Sequence, residues 1–291
     1  MSARDWLKLA LPPLVLQSYR GIRNRVTHTI PEWEYLPTGW PAAGDNPQIK
    51  GWNVRNVLSA AQARWPEFVK QMNSNQPFGL SPEAIRAGPA DLVFHNTVMC
   101  FAYALAMAAR NKRLVSMLDW GGALGYYLLI SQRLIPELEI EYHCKEVQVL
   151  ADYGRVLWPE AAFHSDNKCL ERQYDLVLAS CSLHYEENWR DLLARLAGAT
   201  AGYLFVTRLP VVNHSPSYAF VQRPYAYGYN TEYVGWCLNR DEFLMQAESI
   251  GLKLLEEFIT GEQPFIAGAP EQCQYRGFLF SSVTMQEGQR D

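Results

Sequence analysis

The sequence predicts an α/β fold, a mostly parallel sheet flanked by helices, and three observations carry that prediction. From about residue 114 onward strand-like and helix-like segments alternate, as they do when helices form the crossovers between parallel strands. The apolar run Leu114–Leu118 ends in Asp119, then a glycine-rich turn, Trp120-Gly121-Gly122-Ala123-Leu124-Gly125, after which apolar residues resume at helical spacing. A strand, a tight turn and a helix N-terminus bring backbone N–H groups up to a nucleotide-like ligand. The last two strand-like segments are joined by a loop rather than a helix, which predicts an antiparallel hairpin at the sheet edge.

Taken in order, Leu92–Arg110 is rich in Ala, Met and Leu and reads as a helix leading into the first strand, Leu114–Leu118. The helix after the glycine turn runs from about Leu124 to Leu134. Glu139–Cys144 is the second strand, and a helix near Val147–Leu157 stops before Pro159. Ala161–His164 makes a short third strand, Tyr174–Ala179 a strongly apolar fourth, and Asn188–Ala197 a helix. Gly202–Val206 is the fifth strand. Asp241–Ile250 is helical, and Leu252–Phe258 and Tyr275–Val283 complete a seven-stranded sheet with a terminal antiparallel hairpin.

Residues 1–90 have another character. They hold 10 of the 17 prolines and five of the nine tryptophans, Trp6, Trp33, Trp40, Trp52 and Trp65, and read as an irregular cap packed on a body spanning 91–285, with a frayed tail at 286–291. Within the cap, Leu9–Leu16 is apolar but short and carries two prolines, so it does not span a bilayer; Arg20, Arg23 and Arg25 follow it. That order fits either a docking segment or a weak membrane-surface contact. The stretch 208–238 reads as a long acceptor-site loop bearing His214, Tyr218, Arg223, Tyr225, Tyr227, Tyr229, Tyr233 and Trp236. Its aromatic content argues against disorder and suits stacking on sugar or aromatic rings, or simply packing of the cap.

Composition bounds the function. The chain has 291 residues, 48% hydrophobic and 19% charged, with a net charge of −4, so no summed basic field recruits nucleic acid. Its six cysteines form no C-x-x-C pair and no close metal-ligand spacing, which predicts reduced thiols, a cytoplasmic protein and no metal site.

The glycine turn is the most specific motif. Its glycines lie two, three and six residues after Asp119, whereas a dinucleotide fingerprint needs G-x-G-x-x-G and Trp120 stands where the first glycine would fall. Glu146 follows Gly125 by 21 residues at a strand end, where an acid can grip two ribose hydroxyls. The turn resembles motif I of the class I S-adenosylmethionine-dependent methyltransferases, D-x-G-x-G-x-G, with the middle glycine displaced and Ala123 in its slot. The run Ser180-Cys181-Ser182-Leu183-His184-Tyr185 resembles their motif IV, and the likeness covers roughly residues 92–283. A narrower bacterial group associated with surface-polysaccharide biosynthesis is similar at Leu118–Gly125, Ser180–Tyr185, Arg208, Trp33 and Gly39-Trp40.

The resemblance implies S-adenosylmethionine as cofactor, with Asp119, Gly121, Gly122 and Gly125 at the turn, Glu146 on the ribose, Asp166 near the adenine and Ser180 facing the methionine end. It implies a small-molecule or glycan-type acceptor methylated at oxygen or nitrogen, with His184 or His214 as base and Arg208 on an acceptor carboxylate or phosphate. Each residue has a plainer reading as well: Asp119 as a cap of the turn, Asp166 as a turn residue, Glu146 as a solvated strand-end carboxylate, His184 as a residue that merely lines the cofactor loop or satisfies the backbone. Two other functions stay open, a non-catalytic partner protein of the same fold and a nicotinamide-dependent oxidoreductase.

Overall fold

The computed structural model describes residues 30–42, 44–79, 81–82 and 91–282. The expected membrane-surface segment and frayed tail lie outside the described residues. Ten strands form one mixed sheet: β1 (Trp33–Leu36), β2 (Leu114–Trp120), β3 (Glu139–Lys145), β4 (Ala162–His164), β5 (Tyr174–Ser180), β6 (Thr200–Val212), β7 (Tyr218–Gln222), β8 (Tyr233–Asn239), β9 (Leu252–Ile259) and β10 (Gln274–Ser282). Among the described residues six α-helices accompany them: α1 (Arg55–Met72), α2 (Leu92–Ala109), α3 (Tyr126–Leu134), α4 (Gln148–Leu157), α5 (Trp189–Gly198) and α6 (Arg240–Ser249).

Five strands run parallel in the order β4-β3-β2-β5-β6, and β10 adds antiparallel to β6 with β9 antiparallel beyond it. Side chains alternate across this sheet as period 2 requires. Val115 and Met117 of β2 and Leu176 and Leu178 of β5 join Val98, Phe101 and Leu105 of α2 on one face. Leu118, Val177 and Ala179 meet Trp189, Leu193 and Phe243 of α5 and α6 on the other. Both faces are covered, which explains the near-continuous apolar runs in β2 and β5. Among the described residues one helix, α2, is long and apolar enough to cross a membrane; here Phe101, Ala104 and Leu105 are fully buried.

Seven strands is an undercount, and the stretch 208–238 is not an irregular loop. β6 continues to Val212, and its last residues pair parallel with β8, which pairs antiparallel with β7, which pairs antiparallel with β1. Three prolines in the stretch, Pro210, Pro216 and Pro224, point toward a loop. Pro210 is tolerated inside β6 because pairing with β5 ends at Thr207 and pairing with β8 begins at Val211, so no strand on that side needs its missing N–H. β1 thereby ties residues 33–36 into the sheet. α1 packs on α3 and α4, with Val57 and Ala61 against Leu124 and Leu150.

Candidate functional site

Parallel register decides which residues gather. Trp120 at the end of β2 stands opposite Lys145 of β3 and Ala179 of β5, and Ser180 stands opposite Thr207 of β6. The residues just beyond, Gly121, Glu146, Cys181 and Arg208, therefore emerge on one carboxyl edge, the ligand edge of an open α/β sheet. Three non-glycine residues there hold left-handed backbone: Ala123 at φ 51°, Cys181 at φ 53° and Arg208 at φ 51°. Such strain, about 1–3 kcal/mol each, persists where surrounding structure enforces it, often at ligand sites.

The turn explains its own glycine pattern. Gly121 has φ 77° and Gly125, the N-cap of α3, has φ 84°. A Cβ on Gly121 would stand 2.6 Å from Cβ of Ser182, so the turn packs directly on the loop after β5. Gly122, the displaced glycine, passes over Asp119: a Cβ there would meet Asp119 Oδ2 at 2.4 Å and Cys144 Sγ at 2.8 Å. Ala123 occupies the slot where the resemblance puts glycine and nevertheless adopts glycine-like dihedrals.

A cavity of about 240 Å³ opens over this turn. Gly121, Gly122, Tyr126 and Tyr127 form its floor with Glu146, Ser180 and Lys145. Glu146 accepts from Ala123 N (Oε1, 3.1 Å) and Val147 N (Oε2, 2.6 Å), and burial pushes its carboxyl upward against those hydrogen bonds. Each carboxylate oxygen keeps a second lone pair for a ligand hydroxyl. The Ser180 and Tyr127 hydroxyls lie 2.8 Å apart and tie β5 to α3. Among the described residues no group of three or more His, Cys, Asp or Glu could hold a metal, and all six cysteines are free.

A second cavity of about 690 Å³ adjoins the first, sharing Trp52, Phe94, Thr97, Cys181, Tyr185, Arg208 and Tyr229 with it. Trp52 stacks on Tyr233 at 3.9 Å and meets Tyr185 edge-on at 5.2 Å. Arg208 forks onto Glu262, Nε to Oε2 at 3.1 Å and Nη2 to Oε1 at 3.4 Å. The guanidinium expected to hold an acceptor anion is thus already matched by a carboxylate.

Other expected site residues lie off both cavities. Asp119 is fully buried under the turn, where Tyr142 donates to its Oδ2 at 2.5 Å; desolvation pushes its carboxyl up to about 7. Asp166 caps the short helix at Asn167–Glu171 by accepting from Lys168 N. His184 has no exposed surface and no hydrogen-bond partner on either ring nitrogen; burial, with the Arg208 charge, pushes it down to about 3. His214 is exposed on the turn after β6, where Glu271 accepts from its backbone N–H. Neither histidine lines either of these two cavities, which corrects the expectation of a histidine base: the His184 ring is fully buried beside the Tyr185 and Tyr275 rings, and His214 lies on the turn after the extended β6. Sequence reasoning missed Lys145, Arg64, Glu32 and Glu262. Lys145 was findable as the strand-end neighbour of Glu146, but nothing local marks the other three.

No protein-family model matches the chain, and no curated protein matches it. Solved structures similar to it include an S-adenosylmethionine-dependent methyltransferase from Clostridium acetobutylicum, 8% identical with a TM-score of 0.43, covering 64% of this chain and 92% of that one. The Burkholderia thailandensis 1,6-didemethyltoxoflavin-N1-methyltransferase, solved with 1,6-didemethyltoxoflavin and S-adenosylhomocysteine, is 14% identical with a TM-score of 0.41, covering 81% and 94%. The CcbJ methyltransferase of Streptomyces caelestis is 16% identical with a TM-score of 0.44, covering 68% and 94%. At such identities and scores, the functional reading rests on the geometry of the site itself.

Proposed function

We propose that this protein is an S-adenosylmethionine-dependent methyltransferase acting on a small molecule, a sugar unit of a growing surface glycan among the candidates. The observation that carries this reading is the pair of adjoining cavities on one sheet edge: one floored by a glycine turn and a strand-end carboxylate, the other walled by aromatic rings. The donor set fits the cofactor. Glu146 has lone pairs for ribose hydroxyls, and the first turn of α3, which has no side-chain cap, offers backbone N–H groups.

When bound, S-adenosylmethionine supplies an electrophilic methyl group on a sulfonium, whose departure leaves a neutral thioether. The chain's own task is then to hold the acceptor atom in line and to exclude water. Trp52, Tyr185, Tyr229 and Arg208 line both cavities, and Glu262 holds the Arg208 guanidinium. With no histidine on either cavity among the described residues, the reading favours alignment of an acceptor that brings its own lone pair, an amine delivered neutral or an acidic hydroxyl.

Thermal unfolding tests it. S-adenosylmethionine or S-adenosylhomocysteine should raise Tm while NAD should not, because only the folded state presents the turn and Glu146. Equal stabilisation by NAD would point to an oxidoreductase. Binding of the sulfur compounds with no turnover on any acceptor would favour a partner protein.

A further inference from the structure

The larger cavity has a charge pattern of its own. Four ionised side chains line it among the described residues: Glu32, Asp91, Arg208 and Glu262. Two of the carboxylates have positive partners. Glu262 is matched to Arg208, and Asp91 accepts from Val93 N and Phe94 N at the positive N-terminus of α2. Glu32 has none. It is half-buried, and only the neutral side chains of Gln222 and Trp33 meet its carboxylate; desolvation outweighs both and pushes its proton affinity up.

Glu32 is also wired to the junction. The Tyr185 hydroxyl donates to Gln222 Oε1 at 2.7 Å, Gln222 meets Glu32, and Tyr185 lines both cavities. Aromatic residues line the same cavity, among them Trp33, Trp52, Tyr185, Tyr229, Phe265 and Tyr275. A desolvated carboxylate without a cation, set among aromatic rings, is complementary to a cation carried on a flat or ring-shaped body.

We propose that the acceptor is a ring compound bearing a protonated amine, with Glu32 receiving the ammonium and the aromatic walls the ring, while a different atom of the compound, one that keeps its lone pair, meets the methyl group. The inference rests on the methyl-transfer reading and deepens it. It reverses the expectation of an anionic acceptor on Arg208, because Glu262 neutralises that charge and Glu32 adds the opposite one. The same chemistry is found in arylalkylamines and in amino sugars, so the probes must separate them.

The test is calorimetric titration of the full chain saturated with S-adenosylhomocysteine, using two matched pairs: tryptamine against indole-3-acetate, and glucosamine against glucose. The amine of at least one pair should bind tighter than its partner by about tenfold or more. Glu32→Gln, which keeps shape and hydrogen bonding, should erase that preference and leave S-adenosylhomocysteine affinity unchanged. Which pair responds identifies the aromatic or the sugar source. Absence of amine preference in both pairs overturns the inference, as does a preference that survives Glu32→Gln. If the variant does not fold, the wild-type pairs still decide. Failure to bind S-adenosylhomocysteine alongside a Glu32-dependent amine preference would sink the methyl-transfer reading alone; the reverse result would sink this inference alone.

Discussion

The floor of the smaller cavity comes largely from one short stretch, residues 121–123 of the turn with Tyr126 and Tyr127 of α3, beside one carboxylate whose oxygens are set by neighbouring N–H groups. The larger cavity is lined by residues drawn from distant segments: Glu32 and Trp33 beside β7, Trp52 before α1, Arg208 in β6, and Glu262 between β9 and β10. The difference teaches that a floor built on a turn is written in one short stretch of sequence, whereas walls built from remote side chains exist only once remote strands have paired. It also assigns the two cavities different tolerances. The first should fail through conformation and the second through charge.

The largest expected effect is at the turn. Gly121→Val places a β-branched side chain at φ 77° with its Cβ 2.6 Å from Ser182, so strain and overlap together should cost about 2–5 kcal/mol of stability, read by urea unfolding, and S-adenosylhomocysteine binding should be lost. A folded variant that binds with wild-type affinity would place the cofactor elsewhere. Next comes Glu146→Gln, which should weaken S-adenosylhomocysteine by about 1–3 kcal/mol in a titration, the scale of a charge-assisted pair. No change would reduce Glu146 to a cap for its own turn and helix.

A third prediction separates the regions by pH. Asp119, under the smaller cavity, keeps its proton in the folded state up to about pH 7 against 3.8 for its ordinary value, so it lowers stability as pH rises through that window. His184, behind the larger cavity, stays neutral in the folded state down to about pH 3 against 6.5, so it lowers stability as pH falls below 6.5. The two slopes oppose each other between about pH 4 and 6.5, each worth up to about 1.4 kcal/mol per pH unit. Asp119→Asn should therefore unmask a steep loss toward acid, and His184→Gln a loss toward neutral pH, in denaturant unfolding at several pH values. Identical profiles for wild type and both variants would mean that neither group is held in its uncharged form. The smallest effect belongs to Asp166→Ala: about 1 kcal/mol of stability from the lost cap, with cofactor affinity unchanged. A drop in affinity would restore the adenine contact that the resemblance implies.

The alternation of apolar segments after residue 114 places β2 to β5, the start of β6, α3 to α6 and the closing pair β9 and β10 within a few residues of their observed bounds, because period and glycine spacing are local signals. Gly121, Gly122, Glu146 and Ser180 line the smaller cavity for the same reason: strand ends in parallel register share an edge. The histidines misled because residue type and sequence position say nothing of burial. His184 sits one residue from Tyr185, which lines both cavities, yet its own ring points into the core.

What the sequence by itself determined is the doubly covered parallel sheet and the turn at its carboxyl edge, since both follow from periodicities of two and 3.6 and from glycines within one short run. What only the tertiary structure decided is the second cavity. The extension of β6 past Pro210, the pairing of β1 with β7, the seating of Arg208 on Glu262 and the isolation of Glu32 each join residues dozens to nearly two hundred positions apart. No local propensity encodes such pairings, because their energy is realised only when the chain has closed and water has left the contact.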